Sequence, residues 1–249
     1  MIALFEKQIT QLHEQYATFD ELRGREGADA LTPNERREME WWKDPVRREA
    51  WLMGRLLSKN LIRRAIDADA PPFESIEVLS RNAHGQSVRP EIRVDGELQP
   101  WSLSISHTRS AVLAALSLSD SVEVGVDLTV LDDAAAPTLS VWYTPREKLA
   151  LAYAEPEERA IVWAVKEAVY KAYNRGEGFA PKSIEVVRDD SGRWGCRVAG
   201  EDVSDRCTIR HRVIADQIAV VVAYAKDAAE TAANINIATK ALARAVPGA

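Results

Sequence analysis

The order of predicted elements, helices first and strands after them, occurs twice along this chain of 249 residues. Helical spacing and helix-start signals occupy 3–64 and return at 144–174, and short alternating or apolar segments typical of strands follow each stretch. The length fits one large domain or two small ones. Any fold proposed for the chain must therefore accommodate two similar sets of elements.

Local signals fix several element boundaries. Thr32 is the expected N-cap of a helix, with a proline in its first turn, and Thr144 and Glu147 have the spacing of a capping box. Helices are also predicted over 3–23, as an N-terminal helix, and over 157–174. The predicted strands are 76–79, 101–106, 111–118, 122–128, 183–187, 193–198, 206–213 and 217–225.

Composition excludes several classes of protein. The 32 basic residues against 38 acidic ones give a net charge of −6, which argues against a nucleic-acid partner. The longest apolar run, 218–225, is far shorter than the ~20 residues of a membrane helix. Glu6 and Lys7 interrupt the place of a signal-peptide core, and Cys196 and Cys207 make neither a disulfide framework nor a zinc motif. We therefore expect a cytoplasmic protein that binds neither nucleic acid nor membrane.

A basic segment stands out against this acidic background. Residues 36–64 contain nine bases and four acids. Such a segment can bind a phosphate ligand, but a solvated helix face with i,i+4 ion pairs is the commoner explanation of charge alone. The bases are Arg36, Arg37, Lys43, Arg47, Arg48, Arg55, Lys59, Arg63 and Arg64.

The first candidate for chemistry is Asp127, in a strand of alternating apolar residues. Since side chains alternate along a strand, Gly125, Asp127 and Thr129 share the face opposite the valines. A carboxylate beside a glycine that leaves room for another group suits a hard cation such as Mg²⁺. The alternative is a strand-end aspartate that caps the following loop.

The second candidate is one stripe of the helix over 157–174. Trp163, Glu167 and Lys171 lie at i, i+4 and i+8. An ordinary i,i+4 ion pair would explain the two charges. The tryptophan indicates that the stripe is partly buried, and an inward-facing glutamate and lysine favour an anionic ligand or a metal between them.

Two polar segments complete the candidates. His107 follows Ser106 at a strand end, where it is either a buried, hydrogen-bonded histidine or a phosphate contact. A serine hydrolase is disfavoured, since adjacent side chains of a strand point apart and no GxSxG elbow is present here. The segment from Arg81 to Gln86 is, by itself, only a polar turn.

In order and spacing, these segments resemble the Sfp-type 4'-phosphopantetheinyl transferases. That family carries an ISH segment, then (V/I)G(V/I)D, then W-x-x-K-E-x-x-x-K on a helix. The corresponding segments here are 105–107, 124–127 and 163–171. The resemblance covers about residues 30–225, so the first 30 residues or so and the last 24 look like additions.

The resemblance implies an α+β fold of two similar halves related by a pseudo-twofold axis, with coenzyme A in the cleft between them. The halves would be 1–120, with an extra N-terminal helix, and 121–226, followed by an Ala-rich tail at 227–249. Since both halves are in one chain, a monomer is expected.

The implied reaction moves the phosphopantetheine arm of coenzyme A to a serine of an apo acyl or peptidyl carrier protein and releases 3',5'-ADP. Asp127 and Glu167 would hold Mg²⁺, Glu167 could accept the serine proton, and Lys171 would neutralise the pyrophosphate. The implied contacts to coenzyme A are Arg47, Arg48, Arg81, His84, Gly85, Gln86, Ser106, His107 and Lys171. A weak or inactive relative that binds coenzyme A or a carrier without transfer is the alternative.

Four positions, in three segments, depart from the family pattern. Thr129 stands where many members have a third acidic ligand, and Ala50 stands where a basic residue is common. Gln86 and Ser87 replace the Lys-Pro of the family's Gly-Lys-Pro turn, and Arg89 or His84 could supply the missing positive charge.

Overall fold

The computed structural model describes residues 12–23, 28–66, 70–82, 84–134, 141–173, 178–189 and 191–226. The first set of elements is β1 (Leu12–Thr18), α1 (Phe19–Arg23), α2 (Pro33–Met39), α3 (Pro45–Ile66), β2 (Ile76–Arg81), β3 (Ser87–Val94), β4 (Glu97–Leu98), β5 (Ser102–His107) and β6 (Ala111–Ser117). The second set is β7 (Val122–Val130), α4 (Leu131–Ala134), α5 (Pro145–Ala150), α6 (Pro156–Tyr173), β8 (Ile184–Arg188), β9 (Trp194–Val198), β10 (Glu201–Asp202), β11 (Cys207–Ile214) and β12 (Gln217–Ala225). The two sets have the same order of strands and helices, and the predicted α+β class is confirmed.

The strands form four antiparallel sheets of three strands each, two from each set. In the first set the sheets are β1-β6-β5 and β2-β3-β4, and in the second they are β11-β12-β7 and β10-β9-β8. In both sets the first strand pairs with the last: β1 with β6, and β7 with β12. The pseudo-twofold axis between them stays a prediction.

A buried ion pair between Glu35 and Lys59, which we call the brace, connects elements of the first set. Thr32 and Glu35 form a complete capping box at the start of α2. Glu35 also accepts a hydrogen bond from the Val78 amide of β2 at 2.9 Å, and its carboxylate lies 2.5 Å from Lys59 Nζ of α3. Both charged side chains are fully buried. One carboxylate therefore joins two helices and a strand.

The second set contains the same brace. Thr144 and Glu147 form the predicted capping box at the start of α5. Glu147 accepts a hydrogen bond from the Val186 amide of β8 at 2.7 Å and lies 2.5 Å from the buried Lys166 Nζ of α6. Lys166, although part of the helix motif, is thus occupied in the core.

The predicted helix over 3–23 is wrong for residues 12–18, which form β1 and pair with β6. Residues 3–11 lie outside the described residues, and of the described part of the prediction only 19–23 is helical. Because β1 is an integral strand of the first set, it is not an addition to the fold. The predicted tail at 227–249 also lies outside the described residues.

None of the helices described here is long and apolar enough to cross a membrane.

Candidate active site

Helix α6 lies directly against strand β7 at Gly125. A Cβ atom on Gly125 would lie 1.9 Å from the Ala168 carbonyl oxygen and 2.6 Å from the Ala172 nitrogen, so no larger residue fits without moving the helix. The sequence predicted that this glycine leaves room for another group, and the backbone of α6 fills that room. Asp127, two residues along on the same face, therefore lies beside the side chains of α6.

Three predicted site residues meet at the Asp127 carboxylate. Its Oδ1 accepts hydrogen bonds from Ser106 Oγ and from Lys171 Nζ, each at 3.0 Å. Lys171 Nζ also donates to the Val126 carbonyl oxygen at 2.9 Å and to Ser106 Oγ at 3.2 Å. Asp127 is 7% exposed. The alternative of a loop-capping aspartate is not what the structure shows.

A series of serines in β5 places Ser106 against β7. Ser102 and Ser104 accept hydrogen bonds through their hydroxyls from the Val124 and Val126 amides, both at 3.0 Å. Ser106, two residues further, donates to the carboxylate described above. The sequence analysis missed the first two serines. Their signal was the polar residue at every second position of an otherwise apolar strand.

Glu167 occupies the same site. The pKa of its carboxyl is raised to about 7: burial raises it most, the charge of Lys171 lowers it, and the charge of Asp127 raises it. Two carboxylates that repel each other in this way favour a cation between them. Among the described residues no group of three or more His, Cys, Asp or Glu side chains could hold a metal. The available donor set is thus two carboxylates, which suits Mg²⁺ because that ion often binds one or two carboxylates and completes its shell with water and phosphate.

His107 lies at the open side of this cluster. Its side chain is exposed, as expected when Ser106 points inward. Desolvation by the surrounding protein lowers the pKa of His107 most; a hydrogen bond with the Thr108 backbone raises it, and the positive charges of Lys171 and Arg47 lower it against the charge of Asp127. The structure therefore brings His107 within electrostatic reach of Lys171 and Asp127, and Arg47 within electrostatic reach of His107.

The exposed Arg47 and Arg48 begin helix α3. Asp44 caps this helix, and its Oδ1 accepts hydrogen bonds from the Val46 and Arg47 amides at 2.8 and 3.0 Å. A helix N-terminus with two exposed arginines is electrostatically suited to an anion.

The basic segment does not act as one surface. Arg55 is buried, lies 2.7 Å from Glu38 and stacks over Trp51 at 4.5 Å. Lys59 belongs to the brace of the first set. A uniformly solvated helix face is therefore wrong for these two bases, and neither is available to a ligand.

The loop after β2 contains several hydrogen bonds of its own. Asn82 Oδ1 accepts hydrogen bonds from the amides of His84 and Gln86, both at 3.0 Å, and Arg81 donates to the Gly85 carbonyl oxygen. Within the described ranges, no hydrogen bond or ion pair joins Arg81, His84, Gly85 or Gln86 to the Asp127 cluster.

An exposed aromatic residue that the sequence analysis missed packs on this loop. Gly85 has φ +75°, and a Cβ there would lie 2.7 Å from the indole of Trp41. Trp41 is 59% exposed, and the Arg81 guanidinium lies 5.7 Å from its ring and 5.0 Å from that of Trp42. The adjacent tryptophans in a polar stretch were the available signal.

Arg89 does not supply the missing charge of the family's turn. Its guanidinium lies 2.7 Å from Glu123 and donates hydrogen bonds to the carbonyl oxygens of Lys171 and Ala172. It is fully engaged at the end of α6.

Comparison with known proteins agrees with the resemblance seen in the sequence. Residues 123–223 match the model of the 4'-phosphopantetheinyl transferase superfamily, and the predicted resemblance is confirmed over that range. No curated protein sequence matches the chain significantly.

Several solved structures are similar to part of the chain. One is a Helicobacter pylori holo-[acyl-carrier-protein] synthase in complex with coenzyme A, with 17% identity over 40% of this chain and 96% of that chain, at a TM-score of 0.34. Another is the Chronobacterium ammoniagenes ACPS–CoA complex, with 21% identity over 43% and 98% and a TM-score of 0.35. A Mycobacterium tuberculosis acyl carrier protein synthase matches with 29% identity over 42% and 96% and a TM-score of 0.32.

Proposed function

We propose that this chain, whose residues 123–223 match the 4'-phosphopantetheinyl transferase superfamily, transfers the phosphopantetheine arm of coenzyme A to a serine of an apo carrier protein and releases 3',5'-ADP. The observation that carries the proposal is the meeting of Ser106, Asp127 and Lys171, with Glu167 in the same electrostatic cluster. Such transfer needs charge neutralisation and positioning more than covalent help from the protein.

Asp127 and Glu167 are the residues that would hold Mg²⁺. Their carboxylates are the donor type that the ion prefers, and their mutual repulsion is relieved by a divalent cation. When bound there, the ion would supply charge neutralisation for the pyrophosphate of coenzyme A.

Lys171 stabilises the leaving group in this proposal. Its side chain is 27% exposed, so it reaches the open side of the cluster while its ammonium contacts Asp127. An ammonium group aimed at the place where negative charge develops lowers the barrier to departure of the nucleotide.

Glu167 is the proposed general base. Its carboxylate lies in the same cluster as Asp127 and Lys171, where it could accept a proton from a substrate hydroxyl. The proton would come from the hydroxyl of the carrier serine, directly or through a water molecule.

His107 and Arg47 are proposed to bind phosphates of coenzyme A, since His107 lies within electrostatic reach of Lys171 and Asp127, and Arg47 lies within electrostatic reach of His107. A bound phosphate would raise the pKa of His107 again and make the ring a charged donor. The roles of Arg48, Arg81, His84, Gly85, Gln86 and Ser106 toward coenzyme A stay predictions.

We expect the carrier to be an acyl or peptidyl carrier protein of fatty-acid, polyketide or nonribosomal-peptide synthesis. The proposed site takes Ser106 from the first set of elements and Asp127 and Lys171 from the second, so one chain suffices and a monomer is expected. A cytoplasmic location remains part of the proposal.

The test is incubation of the protein with coenzyme A, Mg²⁺ and each of the three kinds of apo carrier, followed by mass spectrometry of the carrier. The proposal predicts a mass increase equal to that of the phosphopantetheine arm. Glu167→Gln should abolish it, and Glu157→Gln, an exposed change on the same helix, should not. Binding of coenzyme A with no mass increase on any carrier would instead support an inactive relative.

A further inference from the structure

Arg89 connects the first set of elements to the catalytic helix of the second. It lies in β3, and its Nη2 donates hydrogen bonds to the carbonyl oxygens of Lys171 at 2.7 Å and Ala172 at 2.8 Å, both in the last turn of α6. The carbonyls at a helix C-terminus carry partial negative charge and have no partner within the helix. A guanidinium, with its planar fork of donors, can satisfy two of them at once.

The other side of the guanidinium is held by β7. Arg89 Nη1 lies 2.7 Å from Glu123 Oε2, and the second oxygen of that carboxylate lies 2.8 Å from Lys226 Nζ. Burial raises the pKa of Glu123, but the charges of Arg89 and Lys226 and a hydrogen bond from Ser102 outweigh it and lower the pKa below its ordinary value. Glu123 is therefore ionised and fixes Arg89 from the strand that also carries Asp127.

One of the carbonyl oxygens that Arg89 binds belongs to Lys171, whose ammonium contacts Asp127. Lys171 is held by Arg89 at its backbone and by Asp127 at its Nζ. The close approach of α6 to Gly125 leaves no room for the helix to move toward β7. Arg89 opposes the remaining movement, which is sliding of the C-terminal turn along or away from the strand.

We propose that Arg89 is a positioning residue for transfer, acting through the backbone of Lys171 to hold its ammonium at the reacting phosphates. The inference rests on the proposed function for its kinetic consequence, but its geometric content is independent of that function. A displacement of about 1 Å in such a group can reduce a rate by about 100-fold.

The principal test is the steady-state kinetics of Arg89→Met in the carrier-modification assay, measured well below the melting temperature of each variant. We expect kcat to fall about 10- to 100-fold while KM for coenzyme A changes less than about threefold. Arg89→Lys, which retains the charge but not the fork, should recover part of the loss. Arg93→Met is the matched control on the same face of β3 and should leave kcat unchanged, because the side-chain hydrogen bond of Arg93 in the described part of the chain goes to Gly96 of its own hairpin.

Measuring the effect of Arg89→Met in a protein that already carries Lys171→Met distinguishes a positioning role from a general loss of structure. If Arg89 acts through Lys171, Arg89→Met should reduce kcat by less than about threefold in a protein that already carries Lys171→Met. An equal loss in both backgrounds, or a kcat within twofold of wild type for Arg89→Met alone, would overturn the proposal.

A crystal structure of Arg89→Met provides a readout that needs no activity. We expect Lys171 Nζ to lie more than about 1 Å from its wild-type position relative to Asp127, the displacement that the kinetic loss requires. If Lys171 Nζ and Asp127 Oδ1 keep their 3.0 Å contact in the variant, Arg89 does not position Lys171. If wild-type protein modifies no carrier, the proposed function fails, and this structure still decides the role of Arg89.

Discussion

Replacing Glu167 with Gln should stabilise the protein above neutral pH, although the same change should abolish transfer. In the folded state the pKa of Glu167 is raised to about 7 from an ordinary value of 4.5. Below pH 4.5 the carboxyl is protonated in both states and has no effect on stability. Between pH 4.5 and 7 the unfolded chain ionises first, so stability is lost progressively as the pH rises, and above pH 7 the loss is complete.

The size of the effect follows from the two pKa values. At about 1.4 kcal/mol for each pKa unit, the difference between 4.5 and about 7 gives an upper limit of roughly 3 kcal/mol. Glu167 is only partly buried, so solvent screening reduces this to about 1–2 kcal/mol. Glutamine has the shape of the protonated side chain and cannot ionise, so the variant should not lose stability as the pH rises.

Urea unfolding at pH 5 and pH 8.5, in the presence of a chelator, measures the difference. The free energies of unfolding of wild type and Glu167→Gln should be nearly equal at pH 5, and the variant should be more stable by about 1–2 kcal/mol at pH 8.5. Adding Mg²⁺ at pH 8.5 should stabilise wild type and not the variant if the ion binds the folded carboxylates as proposed. Glu157→Gln, which changes an exposed carboxylate of α6, should follow wild type at both pH values. If wild type and Glu167→Gln depend on pH in the same way, the reasoning is refuted.

Three other perturbations have defined outcomes. Gly125→Ala should destabilise the protein by about 3 kcal/mol or more, because its Cβ would lie 1.9 Å from the backbone of α6; an unchanged urea midpoint would contradict that packing. Glu35→Ala should cost about 3–5 kcal/mol, since it leaves the buried ammonium of Lys59 without its counter-charge, and unfolding measurements that show less than 1 kcal/mol would argue against the brace. Arg47→Ala and Arg48→Ala should raise KM for coenzyme A without changing the melting temperature; if neither raises it, the start of α3 is solvated surface rather than a phosphate site.

The first strand shows why a local pattern can predict the wrong element. Leu12 and Tyr16 are four residues apart, a spacing that lies on one face of a helix and equally on one face of a strand. The strand forms because β6, about a hundred residues further along the chain, offers it an antiparallel partner. Nothing within the segment itself distinguishes the two conformations.

The two lysines of the helix motif show the same limit of sequence-based prediction at the candidate site. Lys166 and Lys171 stand on the same helix, and the sequence places Lys171 on the stripe of Glu167. That placement agrees with the structure, in which Lys171 reaches Asp127. That Lys166 instead pairs with Glu147 in the core depends on where α5 packs, which the motif does not state.

The sequence by itself determined the N-cap at Thr32, the capping box of Thr144 and Glu147, the alternation of β5 and β7 and the spacing of Glu167 and Lys171, because each depends on residues a few positions apart. Only the tertiary structure decided that Gly125 admits the backbone of α6, that Arg55 and Lys59 are internal, and that Arg89 holds the C-terminal end of α6. These features depend on contacts between distant segments, where the same charged or small residue can face solvent, a ligand or the core. The repeated order of elements, visible in the sequence, became two braced sets that bring Ser106 from one and Asp127 and Lys171 from the other to a single site.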